Sequence, residues 1–112
     1  MGEDLGSIGR QMLVDRHLDI QVARLVFGLQ VELRDNSWGI NLYTGDTKLL
    51  NYSTSINLAW DVLEKVQSTL SVSENSRLEV LVNYPYRITS VPGKEAAQKI
   101  CQAAVDIINE RK

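Results

Sequence analysis

The chain has 112 residues, 12 basic against 14 acidic side chains, a net charge of −2 and a 44% hydrophobic fraction. That length suits one domain, 1–112, with a modest core, and so apolar a chain with so little net charge is not disordered. The near-balance of charge excludes a global field for gripping a DNA or RNA duplex, so any anionic ligand has to be held by a local cluster. Cys101 is the only cysteine, which excludes an internal disulfide and fits a reducing cytosol. The apolar runs fall short of a membrane span and the N-terminus lacks a basic-then-apolar leader, so a soluble protein with no membrane partner is expected.

Gly2, Gly6 and Gly9 weaken helix propensity over residues 1–14 and predict a flexible or irregular arm. From about Asp15 the spacing of Ile20, Ala23 and Phe27, flanked by Leu18, Val22 and Val26, predicts a helix that Gly28 ends. Leu29, Val31 and Leu33 alternate with polar residues, as do Trp38, Ile40 and Leu42 beyond Asp35-Asn36-Ser37, which predicts a β-hairpin with one buried face. Thr44-Gly45-Asp46-Thr47 is a second turn, after which Lys48 to Asn51 is either a short strand or a connector. Ser53, Thr54 and Ser55 are competent N-caps for a helix carrying Ile56, Trp60, Leu63, Val66 and Leu70 on one stripe, which places Trp60 in the core.

Leu78-Glu79-Val80-Leu81-Val82 reads as a central strand covered on both faces, and Tyr86 to Ser90 as an edge strand after Pro85. Pro92-Gly93 stops it, and a last helix from Lys94 buries Ala97, Ile100, Cys101, Ala104 and Ile108. The expected class is α+β in the order α-β-β-α-β-β-α, with helices packed on an antiparallel sheet of four or five strands.

Enzyme chemistry has no constellation behind it. His17 is the only histidine, no metal-ligand spacing exists, and there is neither a Gly-x-Ser-x-Gly elbow nor a Walker loop, so no catalytic residue, metal or cofactor is expected. Asn83-Tyr84-Pro85-Tyr86-Arg87 differs, because it gathers an amide, two aromatic rings and a guanidinium around a proline. A base stacks on tyrosine, an amide reads its edge, and arginine holds phosphate with a planar fork; the competing structural reading packs both tyrosines at a sheet edge. Trp38 is a further base platform, although its alternation with Ile40 points it to the core. Arg10, Arg16 and Arg24 on the first helix are either surface charge or a second, inter-subunit anion site.

Asp19-Ile20-x-Val22-Ala23, Val26-Phe27-Gly28, Tyr52-Ser53-Thr54, Ala59-Trp60-Asp61-Val62-Leu63-Glu64-Lys65 and Ile100-Cys101-Gln102-Ala103-Ala104 together resemble the phage ABA-sandwich domain over most of residues 15 to 108. That family includes Thoeris anti-defence sponges, and the resemblance implies a cytoplasmic protein of the infected host. It implies capture, without cleavage, of cyclic ADP-ribose-type signals such as glycocyclic ADP-ribose, and of cyclic oligonucleotides of cyclase-type (CBASS) immunity. It further implies self-association as a homodimer or a hexamer of three dimers, with an aromatic side chain and C-terminal-helix arginines around the ligand. On this chain those groups are Tyr84 or Tyr86 and Arg111. Gln102 stands where many members have arginine, and Lys94 and Lys99, with the free N–H groups of the last helix, offer substitute positive charge. The alternative is a non-catalytic structural or protein-interaction module.

Overall fold

The computed structural model describes residues 2–37 and 39–111, and of residues 2–7 the helical backbone alone. Helix α1 (Gly2–Asp15) leads into α2 (His17–Gln21), which widens into a π-helical turn over Val22–Val26. Gly28, at φ +67°, ends it as expected, and the Leu29 N–H folds back to the Ala23 carbonyl at 2.9 Å. Strands β1 (Glu32–Asn36), β2 (Gly39–Thr44) and β3 (Thr47–Lys48) form an antiparallel sheet in that order. Three helices come next: α3 (Ile56–Gln67), α4 (Val72–Asn83) and, after a 3₁₀ turn at Ile88–Ser90, α5 (Gly93–Glu110).

The class is α+β, but the sheet has three strands among the described residues instead of four or five. Leu78 to Val82, expected at the sheet centre, lies in α4, and the segment expected as an edge strand is a loop and the 3₁₀ turn. The helical start of α4 is chemical: the Ser71 hydroxyl accepts the Glu74 N–H at 3.2 Å while the Glu74 carboxylate accepts the Ser71 N–H at 3.0 Å. That reciprocal pair satisfies two orphan donors of a first turn. From there Leu78 and Val82, one turn apart, are buried, while Val80 is exposed, which is a one-sided helix and not a two-sided strand.

The centre of the core is α5. Ala96, Ala97, Ile100, Cys101, Ala103, Ala104, Val105 and Ile107 are all buried, and the small alanines let α3, α4, α2 and the π-turn approach closely. Helix α3 supplies Ala59, Val62 and Val66 to that contact. Trp60 lies one position off this stripe and is 44% exposed, so the expectation that it is buried is corrected.

The hairpin is peripheral to this helical core. Its strands run later than the alternation predicted, Asn36 pairing with Gly39, so Asp35 and Asn36 are strand residues and not turn residues. Leu42 is buried as predicted, but Leu33 is exposed and Tyr43, on the opposite face from Leu42, is buried as well, so burial in the hairpin does not follow the single predicted face. Helix α1 packs on β2, and at Gly9 an added Cβ would lie 2.8 Å from Leu33 Cδ2, a contact only the flexible end of Leu33 could relieve.

One buried charge joins the parts. Asp19, 2% exposed, accepts Arg16 Nε at 2.7 Å and the Ser53 N–H at 2.8 Å, and Arg16 Nη2 donates to the Leu49 and Leu50 carbonyls, both at 3.1 Å. The chain between β3 and α3 is thereby fastened to α2, and Ser55 caps α3 by accepting the Leu58 N–H at 3.4 Å. Replacing Asp19 with Ala removes a buried carboxylate and strands the Ser53 N–H, for an expected loss of about 3 kcal/mol in urea unfolding. Ser71→Ala, which removes one half of the α4 capping box, is expected to cost about 1 kcal/mol in the same measurement.

Candidate functional site

Helix α4 ends at Asn83, whose side chain shapes the adjoining loop. Its Nδ2 donates to the Glu79 carbonyl at 2.9 Å and its Oδ1 accepts the Ile88 N–H at 3.0 Å. The amide therefore staples the loop, and one N–H and one carbonyl lone pair remain for a ligand. In that loop the Tyr84–Pro85 peptide is cis, and Lys99 Nζ on α5 donates to the Tyr84 carbonyl. Tyr84 and Tyr86 are 73% and 67% exposed. Arg87 is exposed and its guanidinium makes no ion pair among the described residues. Asn83 and Arg87 line one shallow groove of about 530 Å³ with Ser76, Glu79, Val80 and Thr89.

Lys94 and Gln102 meet elsewhere, in a groove of about 550 Å³ between α5 and the α1–α2 junction, with His17, Ser53 and Thr54 on its walls. The N-terminus of α5 opens there without a side-chain cap, and its first N–H groups and Lys94 share the groove with the carboxylates of Asp15 and Glu95. Gln102 donates to Asp106 Oδ1 at 2.9 Å. With Glu95 and Gln98 it also borders a groove of about 300 Å³ on the other side of α5, which Lys99 lines. Lys99 thus links the tyrosine loop to the exposed face of α5.

Arg111 does not join either group. It caps the far end of α5, about 25 Å along the axis from Lys94 at 1.5 Å per residue, and its Nε donates to Glu74 Oε2 at 2.9 Å. Glu74 is held below the usual carboxylate range, first by the Ser71 N–H and to a smaller degree by Arg111. Within one protomer Lys94 and Arg111 cannot close on one nucleotide.

Of the predicted second cluster, Arg16 is committed to Asp19 and to two carbonyls, so its role is structural. Arg10 and Arg24 are exposed and make no ion pair among the described residues. Trp38, the other base platform, lies outside the described residues. Trp60, expected in the core, instead lines a groove of about 520 Å³ between α3 and α4. The packing of Ala59, Val62 and Val66 against α5 turns Trp60, one position off that stripe, away from the core.

Among the described residues no three His, Cys, Asp or Glu converge as a metal would need, and no helix is long and apolar enough to cross a membrane. The interior titratable groups serve the core. Burial, with the Asp19 charge in addition, pushes the Cys101 thiol up to about 12, and the same two causes, in that order, raise the Tyr52 hydroxyl, whose ring stacks on Phe27 at 5.3 Å. A thiol harder to ionise folded than unfolded stabilises the fold below its ordinary value of 9.0, and that contribution is lost as pH rises towards about 12. Urea midpoints are accordingly expected to fall across that alkaline window, less steeply in Cys101→Ala, and the native thiol should resist alkylation at neutral pH.

Comparison with known protein families matches residues 20–105 to the phage ABA sandwich domain. No curated protein and no solved structure matches the chain.

Proposed function

The chain belongs to the phage ABA sandwich domain family, and from that premise we propose that it is a non-catalytic anti-defence sponge. In this reading it binds a cyclic ADP-ribose-type immune signal, or a related cyclic oligonucleotide, in the host cytoplasm and holds it intact. The observation that carries the reading is the loop after α4, where two tyrosine rings stand in solvent beside an unpaired Arg87 guanidinium. Solvent-exposed aromatic faces next to a free planar cation are what stacking on a base and gripping a phosphate require. Lys99 at the Tyr84 carbonyl, and Lys94 with the uncapped start of α5, place two further cations along the same helix, interspersed with Glu95 and Asp106.

Sequestration works by mass action, since tight sites in excess of the messenger lower its free concentration. A thin domain encloses more of a nucleotide at a subunit interface, so the sponge is proposed to be a homo-oligomer in which Arg111 serves a neighbouring copy. A protein-interaction module is the second reading, favoured by the exposed Val72 and Val80 on the outer face of α4.

Incubating the protein with cyclic ADP-ribose or its glycocyclic isomer, then heat-denaturing and assaying the supernatant, separates these readings. A sponge depletes the signal and returns it unchanged, an enzyme returns product, and an interaction module never depletes it. Calorimetry on Tyr84→Ala, Tyr86→Ala and Arg87→Ala is expected to show a loss of roughly 1–3 kcal/mol for the stacking tyrosine. Unchanged affinity in all three would remove the loop from the site.

A further inference from the structure

The groove between α3 and α4 combines an apolar floor, a half-exposed indole and one carboxylate. Its volume of about 520 Å³ lies in the range of small-molecule sites. The floor is apolar, from Leu63, Leu78, Val82 and Ile88, and Trp60 stands at its wall with 44% of its surface in solvent. An indole left half-exposed beside a concave apolar floor is a platform for a flat ring.

Charge narrows the occupant. Among the described residues Glu79 is the single charged one lining this groove, and its carboxylate makes no ion pair with any of them. A phosphate is repelled there, while a neutral ring with N–H donors on its edge is favoured. The second N–H of Asn83 can meet a ring acceptor. Ser76, Glu79 and Asn83, at helical spacing on α4, border this groove and also the one that Arg87 lines. An acceptor-lined apolar cleft and a free guanidinium therefore face each other across one helical ridge.

We propose that the Trp60 groove is the base pocket: a purine stacks on Trp60, presents its N–H edge to Glu79, and directs its phosphates over the ridge to Arg87. This inference rests on the nucleotide-binding reading above and adds a stacking face from α3 and an acceptor from α4 to the contacts which that reading gives the tyrosine loop.

Calorimetry with adenosine, ADP and pyrophosphate tests it. Trp60→Leu is expected to weaken adenosine and ADP by roughly tenfold or more while leaving pyrophosphate unchanged. Glu79→Gln, on the exposed face of α4, should weaken adenosine severalfold, and Arg87→Ala should weaken ADP and spare adenosine. Urea midpoints establish that each variant is folded; should Trp60→Leu unfold, Glu79→Gln decides alone. The inference is overturned if wild-type protein does not bind adenosine, or if the folded variants bind it like wild type. It is equally overturned if Trp60→Leu splits an oligomer into monomers without altering adenosine affinity, which would make the groove a self-interface. Depletion of cyclic ADP-ribose that is indifferent to Trp60→Leu would leave the sponge standing and remove this pocket. Adenosine binding through Trp60 with no depletion of the cyclic signal would do the reverse.

Discussion

A carboxylate withdrawn from water has to be compensated, and Asp19 is compensated by groups that come from two distant parts of the chain. Arg16 lies one turn away, but the Ser53 N–H and the carbonyls that hold Arg16 in place lie more than thirty residues on. The end of the sheet, the start of α3 and the first helical segment are thereby tied at one point over α5. The same charge reaches the interior, where it adds to burial in keeping the Tyr52 hydroxyl and the Cys101 thiol protonated. Their role is packing, and the chemistry available to a ligand is left to the surface.

Around that point the alanines of α5 set the architecture. Small side chains bring three helical elements close to one axis, so the core is helical and the three-stranded sheet sits beside it against α1. The exposed side of α5 then carries Lys94, Gln98, Lys99 and Gln102 in one strip, bordered by grooves on both flanks. The length of the helix separates Lys94 from Arg111, and one protomer presents several shallow grooves in place of one closed pocket.

Helix α4 has the largest consequence for the shape of the surface. In a strand, Glu79 and Asn83 would share one face with Leu81 at two-residue spacing; in a helix they align with Ser76 into a ridge between two grooves. That ridge places an apolar cleft with Trp60 on one side and Arg87 on the other. The exposed tyrosines continue from its end, on a loop that the Asn83 side chain holds in place.

Helices α3 and α5, the Gly28 stop and the two-turn hairpin were legible in the chain, because caps, glycine conformations and short-range periodicity act between residues a few positions apart. In the Tyr84-Pro85-Tyr86-Arg87 segment the residue types were legible, but the exposure of both tyrosines was not, because the segment read equally as an edge strand against which they pack. The Leu78 to Val82 run was misread, since a short apolar stretch satisfies either period; Ser71-Val72-Ser73-Glu74 is the local capping signal for helix, and burial against α5 selects its inward face. Trp60 was misplaced because a stripe of apolar residues defines a face only to within about one position, and the partner helix selects which residue of it is covered. Arg16 reads locally as surface charge, yet its partners at Leu49 and Leu50 are supplied by tertiary contact. Interactions between neighbours in sequence are thus written in the residues themselves, while the choice of buried face and the pairing of distant polar groups exist only once the helices have packed.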